Sequence, residues 1–439
     1  MKWLNQIYQP IDNAPLIVFR IFLGALITLE CYWTLMSGWV KTTFIDPKFT
    51  FSHIGFEWLQ PLPENGMYLY FTVMGILGLF IMIGFKYRWS LALFSFLWLG
   101  IYLMQKENYN NHYYLLLLTC IIMLFLPAHQ YASIDARLNS KIKSGIMPQW
   151  CSWVMIAFIS IVYFYAGIAK FYPDWLNGTF IRILYSNHVH WPYIGSYLKE
   201  QWVVLGISYM AIAFDLLIIP LLLYKPTRTP AVLAYLAFHL CNAIMLNIGI
   251  FPFFALSFIV FFYPPQSIQK LFFKQKNTDF KNTAVNTQPQ LLKYFFIPFL
   301  LIHLLLPLRH WFIKGNVLWT EEGHRLSWRM MLRSKKGTIQ FKIVNLKTNE
   351  ITYYDIKKRL TPLQQNFIVY KPDGIWQMAQ RIKKEYTEKG EKIALFVEAK
   401  VSVNEGNYEN LIDPNYDFTQ AQWNYFCHND WILLPKKYN

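Results

Sequence analysis

The sequence predicts an all-α polytopic membrane helix bundle of about nine spans, followed by a small extramembrane α/β domain. Hydrophobic residues make up 55% of the 439-residue chain and charged residues only 15%, against about 25% charged in soluble proteins. Apolar runs near the ~20 residues that cross a bilayer recur along the first part of the chain. The composition becomes that of a soluble domain near Arg309. We therefore expect a membrane bundle over 1–308 and an extramembrane domain over 309–439.

The nine predicted spans are placed by where their apolar runs begin. These runs begin at about Pro15, Tyr68, Ser90, His112, Trp150, Trp202, Pro230, Phe251 and Leu291. The third, fourth and eighth runs are short and are expected to tilt or re-enter. No cleavable signal is expected, because residues 1–13 are polar and the first apolar run is long enough to span the bilayer itself.

Lysine and arginine residues in the predicted loops indicate the orientation. With a cytoplasmic N-terminus, the inside segments hold twelve such residues, Lys2 and Lys281 among them, and the outside loops hold six. Positive charge concentrates on the cytoplasmic side of membrane proteins. We therefore expect the N-terminus inside and, after nine spans, the C-terminal domain outside.

Charge and cysteine usage exclude several classes of function. The net charge of +16 is distributed over loops between apolar runs rather than along one stripe, so nucleic acid is not expected as a partner. The five cysteines show no CxxC or metal-ligand spacing. Neither a disulfide framework nor a metal site is expected.

The C-terminal domain shows three local signals. Residues 338–344 and 351–356 alternate apolar and polar side chains around a turn, which predicts a β-hairpin. Asp373 is a candidate N-cap for a helix, and residues 393–403 read as another strand. The apolar face of that helix is expected at Ile375, Met378, Ala379, Ile382 and Tyr386.

Ionisable residues inside the predicted spans are costly and are functional candidates by default. They are Arg20, Glu30, Asp215, His239 and His303. Arg20 and Asp215 fall at a similar depth, about a third of the way from the inner face. A buried pair between them would fix helix register without doing chemistry, so both are assigned a structural role.

A second polar group collects at the predicted outer face. Asn111 and His112 begin span four, Lys170 lies where span five emerges, and His239 and Asn242 share one helical face. Each has an ordinary alternative: a lysine at a helix end reaches to water, an asparagine caps, and a histidine bonds a neighbouring helix. Their joint occurrence at one side favours a functional site.

These residues also carry a resemblance, which runs from about Ala14 to Met331. The chain resembles the vitamin K-dependent γ-carboxylases and their bacterial relatives that share the HTTM membrane domain. The matching pieces are Val18-Phe-Arg20, Leu59-Gln-Pro-Leu-Pro63, Asn-Asn-His at 110–112, Ala-Gly-x-x-Lys ending at Lys170, Asp215, Phe238-His-x-x-Asn242, Trp319-Thr, Ser327-Trp and Met330-Met331.

The resemblance implies an enzyme acting on a membrane quinone. Lys170 takes the place of the lysine that deprotonates reduced vitamin K or a menaquinone-type hydroquinone, which requires an uncharged amine. His112 and Asn111 would orient the quinone oxygen. Reaction of the quinol with O₂ yields a base that removes the γ-proton of a glutamate, CO₂ adds there, and the quinone leaves as its epoxide. A water-poor pocket protects such a base.

The resemblance assigns five further residues. His239 and Asn242 are similar to residues that line the quinone site, and Trp319, His324 and Ser327 lie in the stretch that holds the glutamate of a protein substrate. The implied surroundings are the lipid bilayer, with a bacterial inner membrane favoured over the endoplasmic reticulum.

Four positions depart from the family pattern. Ala169 stands where vertebrate enzymes carry a second lysine, His324 replaces a tyrosine, and Arg333 and Lys335 replace a differently arranged histidine and arginine. Two alternatives therefore stay open. One is a quinol epoxidase that carboxylates nothing, and the other is a non-enzymatic membrane protein or a transporter with a lysine–histidine proton relay.

Overall fold

A computed structural model describes residues 6–246, 248–276 and 286–435. Lys2 and Lys281, which entered the charge count, lie outside the described residues. The described chain forms a helical membrane bundle with a small α/β domain at its C-terminal end, which confirms the predicted fold class.

Each of the nine predicted apolar runs forms a helix or, in one case, a pair of helices. The helices are α1 Ala14–Met36, α2 Gly66–Ile83, α3 Tyr87–Met104, α4 Asn111–Phe125, α5 Trp150–Ile168, α6 Gln201–Leu223, α7 Arg228–Leu246, the pair α8 Phe251–Phe261 and α9 Pro265–Phe272, and α10 Pro289–Phe312. Within the described ranges, seven helices are long and apolar enough to cross a membrane, or eight if the bent pair is one span. The protein is a multi-pass membrane protein, and its described residues contain fewer full-length spans than the nine predicted.

Two of the predicted spans are irregular for separate reasons. The helix α4 has 15 residues, and at 1.5 Å per residue it is about 22 Å long, which is less than the ~30 Å hydrocarbon core. The helices α8 and α9 meet at an angle of 115°, because Pro264 and Pro265 cannot continue the backbone hydrogen bonding of α8. The third span, also predicted to be short, is a full-length helix.

Arg20 stabilises the segment that follows the end of α4, and it does not contact Asp215 in doing so. Its guanidinium donates to the backbone carbonyls of Ala128 at 2.9 Å and Ala132 at 2.6 Å, in the non-helical segment after α4. Non-helical backbone at membrane depth needs such donors from the protein. The predicted Arg20–Asp215 pair is therefore wrong, because Asp215 binds Lys170 instead.

The two ends of the bundle are built differently. At the first face, the strand β1 (Pro10–Asp12) pairs with β2 (Ile146–Pro148), and Lys276 Nζ lies 2.5 Å from Asp12 Oδ1. At the second face, the Phe51 carbonyl accepts a hydrogen bond from the backbone N–H of Lys106 at 2.8 Å. The C-terminal domain covers both segments. The N-terminal strand and the C-terminal domain thus lie at opposite faces of the bundle. The assignment of these faces to cell compartments stays a prediction.

The C-terminal domain is a four-stranded antiparallel sheet packed on two helices. Its strands are β3 Lys335–Asn345, β4 Ile351–Tyr353, β5 Ile393–Val403 and β6 Glu409–Asn410, in the order β4-β3-β5-β6. The helices are α11 Pro362–Tyr370 and α12 Pro372–Glu388. The predicted hairpin is confirmed by β3 and β4, and the predicted strand by β5. Four residues of the expected apolar face of α12 are buried, and Tyr386 packs at the edge of the same core.

Asp373 does not cap α12 but joins the domain to the bundle. It lies inside the first turn, and its Oδ2 is 2.6 Å from both Lys106 Nζ and Arg325 Nη1. Burial alone would raise the pKa of Asp373, but Arg325 and Lys106 hold it well below its usual range. The prediction of an N-cap is wrong, because two buried cations from other segments take this carboxylate.

Replacement of Asp373 by asparagine is expected to destabilise the protein by about 3 kcal/mol, because removal of one partner leaves buried cations without a counter-charge. Thermal unfolding of the purified protein measures the effect. Asp355→Asn is the matched control, since Asp355 pairs with Lys358 at the exposed surface. Equal melting temperatures for the two variants would contradict the stabilising role of the contacts of Asp373 with Lys106 and Arg325.

Candidate active site

A cavity of about 330 Å³ opens at the second face, between the start of α4, residues 324–335 and the end of α11. Asn111, His112 and His324 line it, so the structure brings together three of the predicted site residues. Lys170 and His239 are not among its lining residues. The predicted site is thus divided between this cavity and the helices behind its wall.

Asn111 and His112 reach the cavity because Asn110 caps α4 by accepting the backbone N–H of Tyr113 at 2.8 Å. The Asn111 amide donates to the carbonyl of Arg329 at 3.0 Å, which fixes the cavity wall. The ring of His112 stacks on Phe251 with centroids 3.8 Å apart. One face of the imidazole is thus covered by the phenylalanine ring.

His239 lies behind the same aromatic residue. Its ring centroid is 6.1 Å from that of Phe251, and the two rings meet edge to face. The Nε2 atom is 2.6 Å from the hydroxyl of Tyr163 on α5. Nδ1 is buried and has no hydrogen-bond partner within the described residues. Asn242, one turn further on, is half-buried.

Lys170 follows the last turn of α5 and is buried. Its ammonium group donates to the Ala166 carbonyl at 3.0 Å and forms an ion pair with Asp215 on α6. The Trp175 ring centroid lies 5.2 Å from Nζ. The role predicted for Lys170 requires an uncharged amine; the structure gives this amine a carboxylate partner.

Tyr172 connects this pair to the cavity. Its hydroxyl donates to the carbonyl of Leu332, and Leu332 lines the cavity. Ala169 and Leu332 belong to the same small core cluster. The lysine thus lies behind a wall of the cavity formed by the chain around Leu332.

Three cations converge on one buried carboxylate beneath the cavity. Glu321 accepts from Arg333 Nε at 2.6 Å and lies 2.7 Å from both Lys335 Nζ and Lys371 Nζ. Burial alone would raise the pKa of Glu321, but Arg333, Lys335 and Lys371 hold it well below its usual range. One carboxylate cannot neutralise three cations, so this group carries excess positive charge.

Arg329 adds a fourth cation to the cavity wall. Its Nη1 lies 3.3 Å from His310 Nε2, and its buried Nε has no hydrogen-bond partner in the described part of the chain. Burial, with a smaller contribution from Arg333, lowers the pKa of Arg329 to about 10. The guanidinium remains charged at neutral pH and faces a space that an anion can fill.

Glu107 is the one acidic residue among those that line the cavity. Its Oε1 accepts from the Phe51 N–H at 3.0 Å and from Gln364 Nε2 at 3.2 Å, whereas Oε2 has no partner among the residues described. Burial raises the pKa of Glu107. This favours the protonated form, which donates a hydrogen bond rather than repelling an anion.

Of the three residues predicted to hold the glutamate, only His324 faces the cavity. Its Nε2 lies 3.2 Å from Arg333 Nη1, and burial, followed by Arg333, lowers the pKa of His324 well below its usual range. Ser327 donates to the His324 carbonyl at 2.5 Å. Trp319 is buried and its carbonyl accepts from Lys335 Nζ at 2.6 Å. The last two residues shape the wall.

The C-terminal tail holds the loop that carries these residues. The Trp319 indole donates to the carbonyl of Leu433 at 2.8 Å. Glu322 accepts from the backbone and side chain of Asn429, each at 2.8 Å, and lies 2.7 Å from His428 Nδ1. The site loop thus depends on residues about a hundred positions further along the chain.

The sequence reasoning missed the cationic lining and the partner of Lys170. Arg329, Arg333 and Lys335 stand close together in the sequence, and this density of basic residues after a tryptophan-rich stretch was a usable signal. Lys371 enters from the end of α11, and no sequence pattern indicated that it joins them. Across the described residues, no group of His, Cys, Asp and Glu could hold a metal ion.

Comparison with protein families agrees with this architecture. Residues 8–266 match the family model for the HTTM domain, which covers more than half of the chain. Residues 288–438 match the model for the lumenal domain of vitamin K-dependent gamma-carboxylase. No solved structure gives a significant match. The chain therefore belongs to the HTTM family, as a member that resembles the gamma-carboxylases in both its membrane and its extramembrane parts.

Proposed function

We propose that the protein oxidises a membrane hydroquinone with O₂ to the epoxide and uses the base formed there to carboxylate glutamate side chains. The observation that carries the proposal is the cavity itself. Its lining combines an imidazole that stacks on Phe251 with an excess of buried cations, and a buried lysine lies behind Leu332. A hydroquinone and a carboxylate are the two ligands that this combination suits.

The quinol half rests on Lys170 and the two imidazoles. The hydroquinone supplies the reducing equivalents and the oxygenated base, and the chain supplies binding and proton transfer. His112 lines the cavity with its ring backed by Phe251 and offers its imidazole to the hydroquinone, and the unpartnered Nδ1 of His239 offers a hydrogen-bonding atom to a ring oxygen. Lys170 accepts the hydroxyl proton. Burial excludes the water that would quench a strong base.

The carboxylate half rests on the cationic wall. Arg329 has two features of an anion ligand, a buried charge and an unpartnered Nε. Lys335, Lys371 and Arg333 supply positive charge that Glu321 leaves uncompensated. A cavity of about 330 Å³ has room for a glutamate side chain with CO₂ beside it. The second carboxylate of the product is stabilised by the same cations.

Carboxylate binding is expected to weaken as the pH rises, because two of these cations lose their protons near neutrality. Burial lowers the pKa of Lys371 to about 7 and that of Lys335 to about 8. From about pH 6 to about pH 9, the Kd for a glutamate peptide should rise at least ~10-fold, which corresponds to about 1.4 kcal/mol. Equilibrium binding measures this without turnover. In Lys371→Met the step near the lower pKa should disappear, and a Kd independent of pH in the wild type would contradict the assignment.

A single assay tests both halves. Membranes containing the protein are supplied with reduced vitamin K, O₂, ¹⁴CO₂ and a glutamate peptide, and epoxide and fixed label are measured together. Both products are expected. Epoxide without fixed label identifies a quinol epoxidase. The absence of both products would overturn the proposal. A parallel assay with a menaquinone-type hydroquinone identifies the preferred quinone.

A further inference from the structure

The ion pair of Lys170 and Asp215 is largely buried. The two side chains are 9% and 6% exposed. Lys170 Nζ also donates to Ala166, one of the carbonyls that the end of α5 leaves free, and lies near the Trp175 ring. Trp175 is itself fixed, because its indole donates to the Ser208 carbonyl at 3.1 Å. The ammonium group is thus held in one position.

The close approach of α5 and α6 brings the carboxylate to this position. A Cβ on Gly167 would lie 2.6 Å from Leu216 Cδ2 and 3.3 Å from Asp215 Cβ. A larger residue at position 167 would push α6 outward and separate the two groups. The glycine of the Ala-Gly-x-x-Lys stretch therefore serves the contact between the amine and the carboxylate.

Burial of such a pair favours transfer of one proton from the ammonium group to the carboxylate. An ammonium and a carboxylate lose hydration together, and the penalty for each ion is several kcal/mol. A neutral amine beside a carboxylic acid contains the same atoms and the same number of protons without that penalty. The other titratable groups nearby are Tyr163 on α5 and, around Tyr172, Asp174, Arg329 and Arg333.

We propose that Asp215 is the positioning residue that takes the proton of Lys170, so that the amine is neutral when the hydroquinone arrives. This inference rests on the proposed function. In the first step an N–H bond of the ammonium breaks and an O–H bond forms on Asp215. In the second step the hydroquinone O–H bond breaks and an N–H bond forms on Lys170. Both steps move protons only, so no oxidant or reductant is required.

Asp215→Asn tests the inference through the pH dependence of hydroquinone oxidation. Wild-type activity should be nearly constant from about pH 6 to about pH 9, because the proton moves inside the protein. In the variant the proton must leave to solvent, so activity should rise about tenfold per pH unit below the pKa of the isolated amine and become constant above it. Asp215→Glu restores a carboxylate and should restore a flat profile. Asp174→Asn, the same change beside the pair, should leave the profile flat. A flat, fully active Asp215→Asn profile overturns the inference.

A second measurement needs no hydroquinone. A small apolar amine reagent labels only neutral lysine, and peptide mass spectrometry quantifies label on Lys170. Labelling in the wild type should be nearly independent of pH, whereas in Asp215→Asn it should rise about tenfold per pH unit. Should that variant fail to assemble, a wild-type labelling rate that rises tenfold per pH unit overturns the inference by itself. Correct labelling without hydroquinone oxidation would instead reject the proposed function.

Discussion

Lys170→Ala should reduce epoxide formation from the hydroquinone at least ~100-fold, the lower part of the range for loss of a general base. The side chain is buried and held by Ala166, Asp215 and Trp175, so a neighbouring amine has no route to its position. Lys170→Arg should be equally inactive, because a guanidinium fills the space but does not deprotonate in proteins.

Lys199→Ala is the matched control for this experiment. Lys199 lies in the same loop region between α5 and α6 but is exposed, so its removal should leave epoxide formation unchanged. Correct folding of Lys170→Ala is checked by the thermal unfolding used for Asp373. A well-folded Lys170→Ala protein that forms epoxide at the wild-type rate would exclude Lys170 as the base.

Arg329→Met should separate the two halves of the reaction. Fixation of labelled CO₂ should fall ~100-fold, or about 2.7 kcal/mol, because loss of one partner from a buried charge pair typically costs 2–5 kcal/mol. Epoxide formation should change by less than ~3-fold, since Arg329 touches neither Lys170 nor His239 within the described contacts. Arg329→Lys keeps the charge but loses the bidentate geometry, so it should be intermediate.

Arg359→Met controls for loss of an arginine from the same half of the chain. Arg359 is 46% exposed and pairs with Glu385 far from the cavity lining. The Arg359→Met variant should fix CO₂ at the wild-type rate. If Arg329→Met also does so, the substrate carboxylate is held elsewhere. If Arg329→Met loses epoxide formation together with CO₂ fixation, the cavity serves both substrates at one position.

The sequence was sufficient for the helices and for much of the C-terminal domain, because hydrophobic period and length determine both. Its failures at the buried charges have one physical origin, which is pairing between distant segments. Arg20 and Asp215 lie at similar depth, yet depth does not state which neighbour each one meets. Arg20 meets carbonyls exposed by a helix that stops early, and Asp215 meets Lys170 because Gly167 admits α6.

The same limit applies to the site. Asn111, His112 and His324 line one cavity, and the predicted order of the spans placed all three on the same side of the membrane. Trp319 and Ser327 were predicted with them but point into the supporting wall. A stretch of loop gives no period from which side-chain direction can be read. The depth at which Lys170 lies behind Leu332 depends on tertiary packing alone.

The tail contacts of Trp319 and Glu322 have a consequence for biogenesis. Protein chains emerge from the ribosome N-terminus first, so all the membrane helices are made before Leu433 and Asn429 exist. Until these two residues are made, the loop that bears His324 and Arg329 lacks two of its anchors. The newly inserted bundle therefore carries an incompletely anchored loop at the proposed site until the chain has been made past Leu433.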